Sequence, residues 1–290
     1  MTMHDASGSA PFGEGRNASR NPEVKIPGDA LDALTDARSR AFDDDMRQRE
    51  ERARRNAALI EAGAAVQSGT IDPEALAAWE EQVRVRLEQT PTYVRPPETA
   101  AEAAIADLQL FRRPWPWPRA KASDGGQQAT VDLGGGEAHV GLGLYNRTGA
   151  AGGTAEMGGP FRLPSFSDFE FRTTVDYRYD WFFSTAIGSA DSQGWISIIV
   201  DELLDAPGSQ WHSVVNRRVQ LWSDSTGSAG SDGATEPGNR LTVNERFRGR
   251  PDASYVWWAG ANETIQTQFQ ATSQANLYIE LLYLVALARV

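Results

Sequence analysis

The chain has 290 residues and a formal net charge of −11, from 28 Lys and Arg against 39 Asp and Glu. This acidity excludes nucleic acid as an expected partner, because binding to phosphates needs clustered cationic side chains. The absence of cysteine excludes disulfides, thiolate metal sites and cysteine nucleophiles. A hydrophobic content of 40% is enough to build a large core.

The first 28 residues are rich in Gly, Ser, Asn and Pro. Such a composition cannot bury enough apolar surface to offset the entropy lost on ordering, so 1–28 is predicted to be a disordered tail. It lacks a basic leader followed by an apolar run, and the C-terminal stretch LYIELLYLVALARV is shorter than the roughly 20 residues of a membrane span. We therefore expect no secretory signal and no membrane span, and a protein that is cytoplasmic or part of a particle or assembly.

Residues 29–110 are predicted to form a helical arm. Between residues 29 and 66 no proline occurs, and apolar or amphipathic side chains recur at intervals of three and four, as on one face of a helix. This first stripe contains Leu31, Leu34, Arg38, Phe42 and Met46. It predicts a long helix that buries a single face.

A second helix is predicted to begin at Asp72 and Pro73, since aspartate caps free amides and proline is tolerated in the first turn. Its apolar side chains form a narrow seam between charged residues, and the seam consists of Leu76, Trp79, Val83 and Leu87. A seam this narrow favours a single partner, so it is the predicted interface for assembly. A short third helix is expected over residues 98–110.

The stretch FRRPWPWPRA, residues 111–120, places Trp115 and Trp117 between prolines. Because proline fixes φ and favours extended neighbours, we interpret the stretch as a semi-rigid spacer. Three roles are open to its tryptophans: packing against the following domain, an exposed platform for a sugar or a protein, and insertion into a membrane interface. The first is favoured over the last, because an anionic protein binds membranes poorly.

Residues 121–290 are predicted to form an all-β sandwich domain. In DFEFRTTVDYRYDWFF, residues 168–183, apolar side chains occupy odd positions and polar ones even positions, as in a strand with one solvent-facing side. About eight such strands alternate with Gly- and Ser-rich stretches such as GAAGGTAEMGGP, which we assign to loops. The final strand is apolar on both faces and is expected at the centre of a sheet. The chain is therefore α+β, a helical arm followed by a two-sheet, jelly-roll-like sandwich.

The three histidines, His4, His139 and His212, are not spaced as metal ligands, and no acidic calcium-loop pattern occurs. Metal sites need several ligands that converge. We therefore expect neither a metal nor a cofactor, and we interpret these histidines as surface residues.

Carboxylates are the only candidates for catalysis. Asp176 and Asp180 share one face of the long strand, and Asp201 and Glu202 end another strand. Two acids at a suitable separation are all that glycoside hydrolysis needs. Arginines alternate with the first pair, however, as on an ordinary salt-bridged sheet face, so a non-catalytic protein is favoured over an enzyme.

Adjacent tryptophans at 257 and 258 lie in a further predicted strand. Successive side chains of a strand point to opposite faces, so one indole must lie outside the sandwich core and is exposed unless another element covers it. Trp115, Trp117 and Trp257 are therefore the candidate ligand-binding residues.

Two functions compete. The favoured hypothesis is a non-catalytic structural or interaction protein that assembles through its helical arm, with itself or with other protein subunits, and displays the sandwich. The alternative is a carbohydrate-binding sandwich, either lectin-like or a module of a glycan-active enzyme, in which exposed aromatic rings contact sugars. Fold alone does not separate these functions.

Overall fold

A computed structural model describes residues 26–67, 74, 77–78, 81, 84–86, 88, 109–111, 115–123, 127–163, 166–227 and 230–289. Most of the predicted tail, the interface seam and most of the predicted third helix lie outside these residues. The described elements are α1 (Gly28–Gln67), β1 (Gln109–Phe111), β2 (Trp117–Ala122), β3 (Gln128–Asp132), β4 (Glu137–Leu144), β5 (Gly149–Phe161), β6 (Ser167–Thr185), β7 (Ser189–Leu204), β8 (His212–Thr226), β9 (Gly230–Gly249), β10 (Ala253–Gln268) and β11 (Ala271–Arg289).

The strands form two antiparallel sheets, which confirms the predicted two-sheet sandwich. Sheet 1 has the order β3-β4-β11-β6-β9, with β1 also paired to β11, and sheet 2 has the order β2-β5-β10-β7-β8. The final strand β11 lies at the centre of sheet 1, as its apolar sequence predicts, because both of its edges are paired.

Strand β6 buries most of its odd-numbered side chains, as the alternation predicts: Phe171 and Phe183 are almost fully buried, whereas Tyr177 and Tyr179 are half-buried. The prediction that its even-numbered side chains face water is wrong in part, since Glu170, Thr174 and Asp176 are at most 6% exposed. Arginine and threonine side chains of β9 reach across this face and pair with them. Neighbouring strands therefore cover polar groups that alternation alone assigns to solvent.

The glycine-rich stretch predicted as a loop is strand β5, which pairs with β2 and β10. Its glycines lie where large side chains approach the backbone. A Cβ at Gly158 would lie 2.7 Å from the Trp257 carbonyl oxygen and against the Trp258 ring. A strand can therefore need glycines where large side chains approach its backbone closely. Its composition then resembles that of a loop.

Helix α1 packs on the outer face of sheet 2, and the predicted stripe is the side of the helix that faces the sheet. Leu34 is buried in a small cluster with Val256 and Trp258. Arg38 donates to Asp201 at 2.6 Å. Along this stretch the predicted arm is therefore part of the sandwich's own packing.

The Trp- and Pro-rich stretch is not a spacer, because it contains the beginning of β2, which pairs with β5. Proline is tolerated here because β2 is an edge strand. Leu110 lies in β1, so the predicted third helix does not extend to residue 110. Pairing with β11 assigns Leu110 to sheet 1 instead.

Candidate functional site

The two sheets differ in what lies on their outer faces. Helix α1 covers sheet 2, whereas the outer face of sheet 1 carries a depression of about 340 Å³. The depression runs across β3, β4, β11 and β6, and the outward side chains that line it are Thr130, Asp132, Glu137, His139, Asp176, Arg178, Tyr278 and Glu280.

Three planar side chains form a stack inside the depression. Tyr278 is paired in register with His139 on one side and with Arg178 on the other. The His139 and Tyr278 rings are 3.9 Å apart and almost parallel, and the Arg178 guanidinium lies 4.2 Å from the Tyr278 ring centre. The stack runs across neighbouring strands, and within it the Nε2 atom of His139 is buried without a hydrogen-bond partner among the described residues.

The surroundings of this stack change its protonation. Burial lowers the pKa of His139, and the nearby Arg178 acts in the same direction, although Asn276 opposes them. Burial also raises the pKa of Tyr278 above its ordinary value. Both effects favour the neutral forms, so near neutral pH the stack presents a neutral imidazole and a phenol, each able to donate and accept hydrogen bonds.

A row of four carboxyl side chains crosses the sheet beside the stack. Asp132, Glu137, Glu280 and Asp176 are paired in register from β3 to β6. Like charges directly opposite each other are unfavourable, and Arg240 partly offsets them through two contacts to Asp176, at 2.6 and 3.0 Å. Within the described residues no group of His, Asp and Glu is arranged to hold a metal ion.

On the other side of the stack, Asn276 donates to Asp180 at 3.2 Å. Burial raises the pKa of Asp180, and Arg86 is among the cations that oppose this shift. Arg86 also lies 3.4 Å from Thr235, the residue paired with Asp180 on β9. Asn276 and Asp180 therefore form a hydrogen-bonded pair next to the stack, beyond the residues that line the depression.

The candidate tryptophans lie elsewhere. Trp115 and Trp257 are at most 2% exposed and meet edge to face, 5.1 Å apart, in the sandwich core. Trp117 is half-buried and lies 6.3 Å from Trp258. As predicted, 257 and 258 point to opposite faces, but helix α1 covers Trp258. None of these tryptophans lines the depression on sheet 1.

The carboxylates considered for catalysis are engaged in the fold. Asp201 accepts bonds from Arg38 and from Ser213, each at 2.6 Å. Glu202 accepts a bond from Tyr255 at 2.6 Å and lies 2.9 Å from His212. These contacts occupy the oxygens that a catalytic pair would present to a substrate.

The predicted interface residues Leu76, Trp79, Val83 and Leu87 lie outside the described residues, so assembly through them stays a prediction. In the part of the chain that the structure describes, no helix has the length and apolar character needed to cross a bilayer.

Comparison with known proteins gives structural matches only. No family model and no curated protein matches this sequence. Similar solved structures include a family 16 carbohydrate-binding module (13% identity over 50% of this chain and 75% of that chain, TM-score 0.19). They also include the N-terminal cellulose-binding domain of Cellulomonas fimi β-1,4-glucanase C (13%, 60% and 89%, 0.22). A third is TmCBM61 in complex with β-1,4-galactotriose (7%, 59% and 88%, 0.21). These TM-scores are too low to transfer a ligand or a site.

Sequence reasoning missed the stack. His139 was interpreted only as a surface residue, although it is half-buried, and neither Tyr278 nor Arg178 was a candidate. The outward positions of β4, β6 and β11 follow from the period of two, but the stack needs β11 between β4 and β6 in one particular register. Knowledge of that pairing is what would have brought the three residues together.

Proposed function

We propose that the protein binds carbohydrate in the depression on the outer face of sheet 1. The observation that carries the proposal is the stack of His139, Tyr278 and Arg178 beside the row of carboxyl groups. A sugar presents many hydroxyls, each a donor and an acceptor. Tyr278 and Arg178 offer donors, and the exposed carboxylates of Asp132 and Glu137 offer acceptors, which is the convergent set of polar groups that orients a ligand in a pocket.

The end of the stack also offers an apolar contact. His139 is its last member, and its other ring face is directed toward β3, where the paired residue is the small Thr130. The C–H face of a sugar ring packs well on an aromatic ring. Binding modules for cellulose and for galactotriose occur among the structural matches, but the proposal rests on the side chains of this chain.

The test is calorimetric titration with neutral oligosaccharides, comparing the wild type with Tyr278→Ala. Removing the central ring separates His139 from Arg178, so we expect binding to weaken by about tenfold or more, as for the loss of roughly 1.4 kcal/mol. Tyr145→Ala is the matched control, because Tyr145 is 53% exposed and outside the depression. Equal affinity in all three proteins, or no binding by the wild type, would contradict the proposal.

A further inference from the structure

A second cavity lies between helix α1 and the outer face of sheet 2, and we call it the groove. Its volume is about 550 Å³, within the range of small-molecule sites. Phe42, Asp45 and Met46 of α1 form one wall, and residues of β5, β7 and β10 form the floor. The groove is separate from the depression because the two lie on opposite faces of the sandwich.

Most of the charged groups that line the groove are ion-paired with each other, whereas Arg218 lies over the Trp195 ring. Glu156 lies 2.6 Å from Arg119 and 3.5 Å from Arg38, which also contacts Asp201 at 2.6 Å. On the helix wall, Arg49 pairs with Asp45 at 2.9 Å. Two floor carboxylates thus face two guanidinium groups. A charged ligand would have to displace one of these pairs, so the groove favours a neutral ligand.

Several buried polar atoms of the floor nevertheless have unused hydrogen-bonding capacity. Thr154 and Thr264 are 2% and 3% exposed. Neither hydroxyl has a hydrogen-bond partner among the described residues, and neither has the Nε of Arg119. All three residues line the groove. Buried polar groups are normally paired, so three such atoms in one cavity indicate a site for a hydrogen-bonding ligand.

The open side of the groove adds a planar surface. Trp195 is half-buried there, and the Arg218 guanidinium lies 5.5 Å from its ring centre. Asn262, whose amide nitrogen donates to Ser197 at 2.8 Å, lies between Trp195 and Thr154 in strand register. An indole next to an amide and hydroxyls suits a ring that carries its own hydroxyls.

We propose that the groove is a second ligand site, which takes a neutral, polyhydroxylated ligand of oligosaccharide size between helix α1 and sheet 2. The ion-paired charges favour a neutral ligand. The unpaired atoms of Thr154, Thr264 and Arg119 favour a ligand with hydroxyls, and Trp195 favours one with a ring. The proposal is independent of the depression, because no residue is shared between the two sites.

The test starts from Tyr278→Ala, which weakens binding in the depression. This protein is titrated with cellotriose, xylotriose and β-1,4-galactotriose at up to millimolar concentrations. We expect residual binding of at least one of them, and a loss of about tenfold in affinity for each hydroxyl removed when Thr154→Val and Thr264→Val are added. Valine keeps the shape of threonine, and because the hydroxyls are unpaired the additions leave the melting temperature of the unliganded protein no lower.

Two controls keep the result interpretable. Thr242→Val changes an exposed threonine on sheet 1 and should leave the residual binding unchanged. Trp195→Ala tests the groove through a residue outside the sandwich core and should weaken the same binding. The proposal is overturned if the Tyr278→Ala protein binds none of the three sugars, or if its binding is the same with and without the two valines.

Discussion

Glu263 is a fully buried acid in the sandwich core, and neither carboxyl oxygen has a hydrogen-bond partner among the described residues. Its cross-strand neighbours are glycines, Gly153 and Gly194. A Cβ at Gly194 would overlap the Trp222 ring and one at Gly153 would overlap Val140. The large side chains that pack over these glycines therefore close off the space around Glu263 from water.

Burial raises the pKa of Glu263 well above its ordinary value of 4.5, and Asp180 acts in the same direction. The folded protein therefore holds a proton that the unfolded chain releases above pH 4.5. Stability is fully present below that pH and is lost as pH rises toward the folded pKa. We expect Glu263→Gln, which has no proton to lose, to unfold at higher urea than the wild type at pH 7 and to show a smaller difference at pH 4.

The control for this prediction is Glu51→Gln, an exposed residue of helix α1, which should keep the wild-type pH dependence. Burial raises the pKa of Asp191 to about 6, so its ionisation also lowers the stability of the fold as pH rises. Asp191 is present in the wild type and in both variants, so its effect is the same in each. An identical slope of stability against pH in Glu263→Gln and the wild type would show that Glu263 is not protonated in the fold.

Alternation along a strand predicts the position of some side chains, whereas the position of others depends on which strands pair. The inward positions of β6 follow from alternation, so Phe171 and Phe183 were correctly placed. The burial of Asp176 depends on Arg240 from β9, a partner that is 64 residues away. Likewise, alternation predicts that one of Trp257 and Trp258 lies on the outer face, but Trp257 was the candidate and the structure places Trp258 there, covered by Leu34. A local sequence pattern does not predict contacts between segments that are distant in the chain.

At the level of elements, helix α1 is joined to sheet 2 by charge as much as by apolar contact. Lys121 donates to Asp43 at 2.6 Å, and the Trp211 indole donates to the Ala30 carbonyl at 2.7 Å. The stripe identified in the sequence supplied the buried face of α1, including Arg38. The stripe does not identify the partner, because a stripe of apolar and basic side chains fits another subunit as well as the chain's own sheet.

Arg38 is the residue whose loss should detach the helix most strongly. It is the helix's contact to both Asp201 and Glu156, and the side chains of all three are at most 14% exposed. Arg38→Ala leaves the Asp201 carboxylate with only Ser213 in a buried position, a change that costs about 3 kcal/mol in comparable pairs. We expect faster amide hydrogen exchange along 28–57 and a lower unfolding midpoint.

A matched control distinguishes a buried ion pair from a surface one. Arg54 pairs with Glu50 at 2.7 Å on the exposed side of the same helix. Arg54→Ala should change stability by less than about 0.5 kcal/mol, since exposed pairs contribute little. Equal effects of the two substitutions would mean that the Arg38 pairs are solvent-screened and that α1 is retained by Leu34 and its apolar neighbours alone.

At the scale of the whole molecule, the described part of α1 packs on the chain's own sandwich. This changes which surfaces are available for assembly. If the chain assembles, the stripe of Leu34, Arg38 and Met46 is already covered. The seam of Leu76, Trp79, Val83 and Leu87 then becomes the surface to test. Glycan binding and assembly are compatible, because the proposed depression lies on the sheet that α1 leaves open.

We predict that the full chain is an oligomer by size exclusion with light scattering, and that Trp79→Ala with Leu87→Ala shifts it to a smaller species. Each substitution removes a large apolar side chain from the narrow seam, and interface centres of this kind lose several kcal/mol on truncation to alanine. Val85→Ala is the control, because Val85 is 45% exposed and is not a seam residue. A wild type that is monomeric at every concentration would remove assembly as a function and leave the two faces of the sandwich as the protein's binding surfaces.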